Sequence, residues 1–368
     1  MARVDHPGCS RCQELPEVPT AGGVLYLWFP IAHILTKMEQ IWKRRQWPLQ
    51  VLPGMQGVCL TLTDQQRLDQ CLVELQGCLT TKELEDTQAL HLPNGGEPQL
   101  ADCPRVMPLY RLVALSQANW LLDLLAENRL ISHFQPIVNA AQPNQIFAQE
   151  ALCRGLDTDD SLISPRRLLQ TARAVDLLFR VDLEARKAAI QAAAHYRLTT
   201  PIFINFTPTA IYDPEFCLQS TVKLIDQAEI PHHNIVFEVT ESEETEDVKH
   251  LQNILCFYRE AGFRVALDDL GSGYSGLNLL HQLRPDFVKL DMELIRDVDR
   301  DEYKAMVTAK LLEVAQALEI KTIAEGIETA AELAWVQDHG ADYVQGYFLA
   351  RPCAPPRINL DIDSSVSD

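Results

Sequence analysis

Two adjacent carboxylates, Asp268 and Asp269, follow the short apolar run 265–267 and open a turn, 270–276, that holds three glycines among LGSGYSG. Neighbouring carboxylates repel each other unless a proton or a cation neutralises them, so the pair at the end of a buried strand points to a divalent metal. A second apolar run, 287–290, carries Lys289 and stops at Asp291. Apolar runs that end in charge are what parallel strands look like when helices cover them and their C-terminal ends line a site. The same pattern recurs at Gln135, Glu150, Asn205, Glu238 with Glu241, Glu325 with Glu328, and Gln345. Carboxylates and amide oxygens, without histidine or cysteine, suit magnesium or manganese rather than zinc. Two such ions about 3.5–4 Å apart activate a water and stabilise a leaving oxygen in phosphodiester hydrolysis. Lys289 among them fits a charge that orients the water or the phosphate. The 270–276 loop lacks the Gly-Lys-Ser/Thr ending of a nucleoside-triphosphate cradle and reads as a mobile lid.

The elements that must position these groups alternate. After Pro108 the pattern predicts a helix over 109–130, strands over 133–138 and 146–152, and a helical pair over 165–197. It continues with a strand at 202–206, a helix from Pro214, a strand at 235–239, a helix over 248–261, and the two strands already described. A helix over 304–319, a strand at 322–327, a helix from Thr329 and a strand at 343–348 complete it. Eight strands alternating with helices over about 250 residues predict an α/β fold of the (β/α)8 TIM-like barrel type, whose active site lies at the C-terminal rim.

The preceding residues read differently. A strand at 24–29, a helix over 31–45, an extended segment at 51–62 and a helix opened by Asp64 predict a small α/β or α+β domain. In the second helix Leu68, Cys71, Leu72, Leu75 and Cys78 recur at helical spacing, the signature of a core face. The expected domains are a sensory or regulatory unit at 1–92, a linker at 93–108, the barrel at 109–355 and a polar tail at 356–368. Cys9 and Cys12, with His6 before them, have the spacing of half a zinc site, but no second pair follows, and a structural or incidental role is the better reading. Gln13 stands where a c-type haem attachment requires histidine.

The formal net charge of the 368-residue chain is -19. That argues against a nonspecific grip on duplex nucleic acid or an anionic membrane. No secretory signal and no uncharged 18-residue apolar run occurs, so the expectation is a soluble cytoplasmic protein with its 10 cysteines reduced. Cys153 and Ser275 adjoin the predicted site, yet no histidine motif accompanies either, which disfavours nucleophilic catalysis.

Taken in order, QEALCR (149–154), FINFTP (203–208), FEVTES (237–242), ALDDLGSGYS (266–275), FVKLD (287–291), TIAEGIE (322–328) and QGYFLARP (345–352) resemble the motifs of the EAL-domain cyclic-di-GMP phosphodiesterases. The resemblance covers about 109–355. It implies a TIM-like barrel that linearises cyclic di-GMP to pGpG with two Mg2+ or Mn2+ ions. By that resemblance Glu150, Asn205, Glu238 and Asp268 hold the first metal, and Asp268 bridges to a second held with Asp269 and Glu325. Lys289 positions the water, Glu325 is the catalytic base, and Gln345 supports the site. Gln135, Leu152, Arg154, Asn205 and Gln345 contact the ligand, while Glu241 braces the 269–275 loop. The resemblance further implies a homodimer through the barrel; the architecture, a separate domain ahead of the barrel, gives the expectation that an unknown signal or partner acts on the N-terminal domain.

The departures from the family pattern are Leu270 where an aromatic is common, Gly276 in place of a second serine, and Gly155 in place of a tryptophan. None is a metal position, but Leu270 and Gly276 lie on the loop that in this family couples metal binding to dimerisation. The alternatives are a catalytically silent cyclic-di-GMP receptor, and a different metal-dependent barrel enzyme acting on enolisable carboxylates. Metal-dependent turnover separates the first alternative from the phosphodiesterase, and ligand identity separates the second.

Overall fold

The computed structural model describes residues 16, 18–19, 22–211, 217–240, 248–271 and 276–360. The chain forms two compact units, Met1–Glu127 with Arg166–Leu178, and Asn128–Pro165 with Phe179–Asp368.

The first unit is built on a five-stranded sheet of order β2-β3-β1-β4-β5. Its strands are β1 (Gly23–Trp28), β2 (Leu49–Leu52), β3 (Gly57–Leu62), β4 (Gln88–Leu92) and β5 (Met107–Pro108), with every pairing antiparallel. The helices are α1 (Ala32–Arg44), α2 (Gln65–Cys78), α3 (Thr81–Asp86), α4 (Leu109–Ser116), α5 (Asn119–Ala126) and α6 (Pro165–Ala174). Alternation along β1 explains the core: Leu25 and Leu27 join Met38, Trp42, Leu68 and Leu72, whereas Tyr26 joins Leu90 and Leu92 in a separate cluster on the other face. Asp64 caps α2 as its position predicts, accepting from the Arg67 N–H at 2.9 Å.

Three local features of this unit differ from expectation. The extended segment at 51–62 is a hairpin, β2 paired with β3. The residues expected as a linker, 93–108, contain a 3-10 turn (Leu100–Arg105) and β5. The helix expected over 109–130 breaks after Ser116, whose hydroxyl bonds back to the Val113 carbonyl at 2.8 Å, and restarts as α5. Leu109, Leu112 and Val113 of α4 pack into the N-terminal core.

The second unit is an eight-stranded closed barrel of order β6-β14-β13-β12-β11-β10-β9-β7, with β7 pairing back to β6. The strands are β6 (Leu130–Asn139), β7 (Gln142–Leu156), β9 (Ile202–Asn205), β10 (Ile235–Thr240), β11 (Arg264–Leu270), β12 (Phe287–Leu290), β13 (Lys321–Ala324) and β14 (Tyr343–Val344); the two-residue β8 (Leu162–Ile163) extends β7. Helices α7 (Leu178–His195), α8 (Gln219–Gln227), α9 (Val248–Glu260), α10 (Gly276–Leu283), α11 (Met292–Ile295), α12 (Glu302–Ala317) and α13 (Ala330–Asp338) connect them. The predicted barrel is therefore present, with one departure from strict alternation. β6 runs antiparallel to both β7 and β14, because only residues 140–141 separate β6 from β7, enough for a hairpin and far too few for a crossover helix.

Strand alternation divides each barrel strand between two cores. Outward residues such as Phe237, Val239, Leu267 and Val288 pack with Leu251, Ile254 and Tyr258 of α9 and their neighbours. Inward residues Ile137, Ala148, Phe203, Val236, Ala266, Phe287 and Ile323 form an apolar plug, joined by Tyr343 and Phe147, whose rings stack at 3.9 Å. A residue two places further along a strand points the same way. That step carries Ala148 to Glu150, Phe203 to Asn205, Val236 to Glu238, Ala266 to Asp268, Phe287 to Lys289, Ile323 to Glu325 and Tyr343 to Gln345. On the reversed strand the step runs backwards, from Ile137 to Gln135. A polar layer thus sits directly on the plug.

Candidate active site

Lys289 is the centre of that layer. It is 1% exposed, and its Nζ lies 3.4 Å from Glu150 Oε1, 2.9 Å from Glu238 Oε1, 3.1 Å from Asp268 Oδ1 and 2.8 Å from Glu325 Oε1. Asn205 Nδ2 donates to Glu238 Oε2 at 2.9 Å and to Glu150 Oε1 at 3.4 Å. Gln345 Nε2 donates to Glu150 Oε2 at 2.7 Å. The expected first-metal residues Glu150, Asn205, Glu238 and Asp268 are thus brought together around one point.

Asp268 and Asp269 require a local irregularity to serve one site, since adjacent strand residues normally face opposite ways. A bulge supplies it: Leu267 pairs with Val288 and Leu270 with Leu290, so β11 spends one more residue than β12 over the same span. Asp269 takes a φ of 58°, in the left-handed region that Asp tolerates better than most residues. Its N–H donates to Asp268 Oδ1 at 3.0 Å. The result is that one carboxylate oxygen each from Asp268, Asp269 and Glu325 lie within 4.8 Å of one another.

Among the described residues, charge in this layer is unbalanced, with five carboxylates (Glu150, Glu238, Asp268, Asp269 and Glu325) against the ammonium of Lys289. Burial raises Glu238 and Glu325 well above the usual carboxylate range, with Lys289 pulling down and the neighbouring carboxylates pushing up. Burial raises Asp268 too, again opposed by Lys289. Burial and then the Asp268 charge take Asp269 to about 7. Burial alone lowers Lys289, but Asp268, Glu150, Glu238 and Glu325 outweigh it and hold the ammonium well above the lysine range. An acidic ring that already wraps one cation and retains excess negative charge fits further cations. The buried Gln345 Oε1, which has no hydrogen-bond partner, adds a free oxygen to that donor set.

The loops beyond the strands are held by close backbone packing. A Cβ on Gly346 would lie 2.1 Å from the Ile327 carbonyl oxygen, so only glycine lets the turn carrying Gln345 approach the turn carrying Glu325. Glu332 fixes the second turn further: it is buried and accepts from the Glu328 and Thr329 N–H groups at 2.8 and 2.9 Å and from Asp297 N–H at 3.0 Å. Sequence reasoning passed over Glu332, although Thr329 three residues earlier gives the spacing of a capping box.

The remaining predicted residues are distributed around the mouth. Gln135 faces Glu150 across the β6–β7 hairpin and donates to the Ala350 carbonyl at 3.1 Å. Leu152 and Arg154 continue the face of β7 that carries Glu150, and Arg154 Nη1 donates to the Cys153 carbonyl at 2.7 Å. Glu328 turns to Arg296 at 2.7 Å instead of joining the acidic ring. Burial pushes the Cys153 thiol up to about 12, unsuited to a nucleophile. Glu241 and Ser275, like His6, Cys9 and Cys12, lie outside the described residues. Among the described cysteines, Cys59, Cys71, Cys78, Cys103, Cys153, Cys256 and Cys353 are free thiols. No helix among the described residues is long and apolar enough to cross a membrane.

Fold and site together define a barrel protein with an acidic, lysine-centred site at the rim. Residues 118–352 match the EAL domain family, and the chain belongs to that family. It is 33% identical over 234 residues to the probable cyclic di-GMP phosphodiesterase PdeB of Escherichia coli, covering 63% of this chain and 44% of that one. The signaling protein YkoW of Bacillus subtilis is 27% identical over 248 residues, covering 66% and 30%. The chain thus spans less than half the length of either relative. Among solved structures, a standalone versatile EAL protein from Vibrio cholerae O395 in its c-di-GMP bound form is 38% identical with a TM-score of 0.58, covering 64% of this chain and 96% of that one. BlrP1 of Klebsiella pneumoniae, in a calcium and cyclic-di-GMP complex, is 22% identical with a TM-score of 0.57 and shares the fold over 90% of this chain and 96% of its own.

Proposed function

We propose that this chain hydrolyses cyclic di-GMP to linear pGpG at the barrel mouth, using two Mg2+ or Mn2+ ions. The observation that carries the proposal is the burial of Lys289 among Glu150, Glu238, Asp268 and Glu325, with Asp269 completing an excess of negative charge. The bound ligand of the similar V. cholerae protein supports the choice of substrate. Glu150, Asn205, Glu238 and Asp268 would hold one ion, the Asn205 amide presenting its oxygen, and Asp269 and Glu325 with Asp268 would hold the other. When bound, the ions would supply Lewis-acid polarisation of the phosphodiester and offset the acidic ring. Lys289 Nζ donates to the attacking water and orients it, and Glu325 accepts the proton the water gives up. The water oxygen joins phosphorus as the bond from phosphorus to the 3′ oxygen breaks, and that oxygen takes a proton from solvent to become the free 3′ hydroxyl. Gln345 keeps Glu150 in place, while Gln135, Leu152 and Arg154 contact the ligand and Glu241 braces the loop after Asp269.

Incubating the purified chain with cyclic di-GMP and Mg2+ or Mn2+, and following pGpG by chromatography, tests this directly. Turnover that disappears in Glu150→Ala supports it. Tight binding without turnover makes the protein a silent cyclic-di-GMP receptor and turns attention to Leu270 and Gly276.

We also infer that the N-terminal unit regulates the barrel in response to a signal and that two copies associate through their EAL domains. The separate core of the N-terminal unit supports a sensory role. Sedimentation of the purified chain with and without cyclic di-GMP tests the association, and a persistent monomer counts against it.

A further inference from the structure

Asp182 and Arg186 stand one turn apart on α7 and are 7% and 2% exposed, joined as an ion pair. A buried pair of this kind is often no more stable than apolar residues of equal volume. This one is also incompletely satisfied, because Arg186 Nε is buried without a hydrogen-bond partner. Stability alone does not account for it. Its other contact does: Asp182 Oδ1 accepts the Thr207 N–H at 2.8 Å. Thr207 is two residues beyond Asn205, in the turn that leaves β9. The intervening Phe206 N–H donates to the Glu238 carbonyl at 3.1 Å. Both amides that follow Asn205 are therefore anchored, one by the adjacent strand and one by a charge on the helix behind it. Burial raises the Asp182 carboxyl, and Arg186 opposes that shift while aiming the side chain.

We propose that Asp182 and Arg186 are positioning residues that fix the Asn205 turn at the barrel mouth and so set the affinity of the acidic ring for a divalent cation. The second half rests on the metal-site reading above. Partners that orient a metal ligand without touching the metal typically change affinity by about 10- to 100-fold when removed.

The test compares the wild type with Asp182→Leu/Arg186→Met and with Asp182→Asn. Thermal melting reports folding, hydrogen exchange of the Thr207 amide in metal-free protein reports the anchor, and Mn2+ titration followed by electron paramagnetic resonance reports affinity. The apolar pair is expected to melt at or above the wild-type temperature, to exchange Thr207 several-fold faster, and to bind Mn2+ about 10- to 100-fold more weakly. Asp182→Asn retains an acceptor oxygen and is expected to fall between the two in exchange and Mn2+ affinity. It decides the matter if the double variant does not fold. A folded variant with wild-type Thr207 exchange and wild-type Mn2+ affinity overturns the proposal. A wild-type chain that binds no Mn2+ overturns the metal-site reading instead, and Thr207 exchange then decides the anchor alone.

Discussion

Lys289 Nζ stands 2.8 Å from Glu325 Oε1, an ammonium on β12 reaching the carboxylate that follows the neighbouring strand β13. The same nitrogen holds Glu150, Glu238 and Asp268, so one side chain supplies the counter-charge for most of the ring. Lys289→Met is expected to lower metal-free stability by about 3 kcal/mol, read by urea unfolding in a chelator. Saturating Mn2+ restores much of that stability. Turnover of cyclic di-GMP stays at least about 100-fold down, because the water has lost its orienting donor.

The pH dependence has a definite sign. Asp269 rises from 3.8 to about 7 in the metal-free fold, through burial and then the Asp268 charge. The folded chain therefore keeps a proton that the unfolded chain has already lost. Metal-free stability is expected to fall as pH rises across that window, from about 4 to about 7. A cation displaces the proton, so Mn2+ affinity climbs over the same range and then levels. Melting curves in chelator across the window measure the slope, and Asp269→Asn flattens it. An unchanged slope in Asp269→Asn refutes the assignment.

Gly346→Ala forces a Cβ to within 2.1 Å of the Ile327 carbonyl oxygen, a contact with backbone that no side-chain rotation relieves. A stability loss of about 2 kcal/mol is expected, typical of overpacking. Because the two turns carry Gln345 and Glu325, turnover should fall further than stability accounts for, when assayed well below the melting temperature.

Glu332→Ala removes the acceptor for three backbone N–H groups, those of Asp297, Glu328 and Thr329. About 2 kcal/mol of stability should be lost, near the upper end for a helix cap. The loosened turn carries Glu325, so kcat is expected to drop while KM for cyclic di-GMP changes little. A fall confined to KM would sink this account.

The site was legible because buried strands keep strict alternation: Phe203 to Asn205, Val236 to Glu238 and Phe287 to Lys289 are two-residue steps on one face. The direction of β6 was not, since an apolar run carries no arrow. A clue was available, because Gln135 precedes Ile137 whereas the polar residue follows the apolar one on the other strands. The bulge at Asp268 and Asp269 was implied by two adjacent acids, but its left-handed backbone is a tertiary outcome. Asp182 and Arg186 were missed for a different reason. Opposite charges four apart on a helix usually mark a solvated face, and burial alone makes this pair unusual. The break between α4 and α5 turned on one serine hydroxyl, beneath the resolution of helical periodicity.

The hydrogen bond from Gln345 to Glu150 joins residues 195 positions apart and crosses the neighbourhood where the first and last strands of the barrel meet. During synthesis Glu150 is made long before its partner exists. β6 and β7 form a local hairpin that needs little loop closure, whereas the pairing of β14 with β6 must await nearly the whole barrel. Until then Glu150 has only its contacts to Asn205 and Lys289, and Oε2 lacks the Gln345 donor in every partial assembly. A half-made or misassembled barrel lacks that bond, so its formation is itself a report that the barrel has closed.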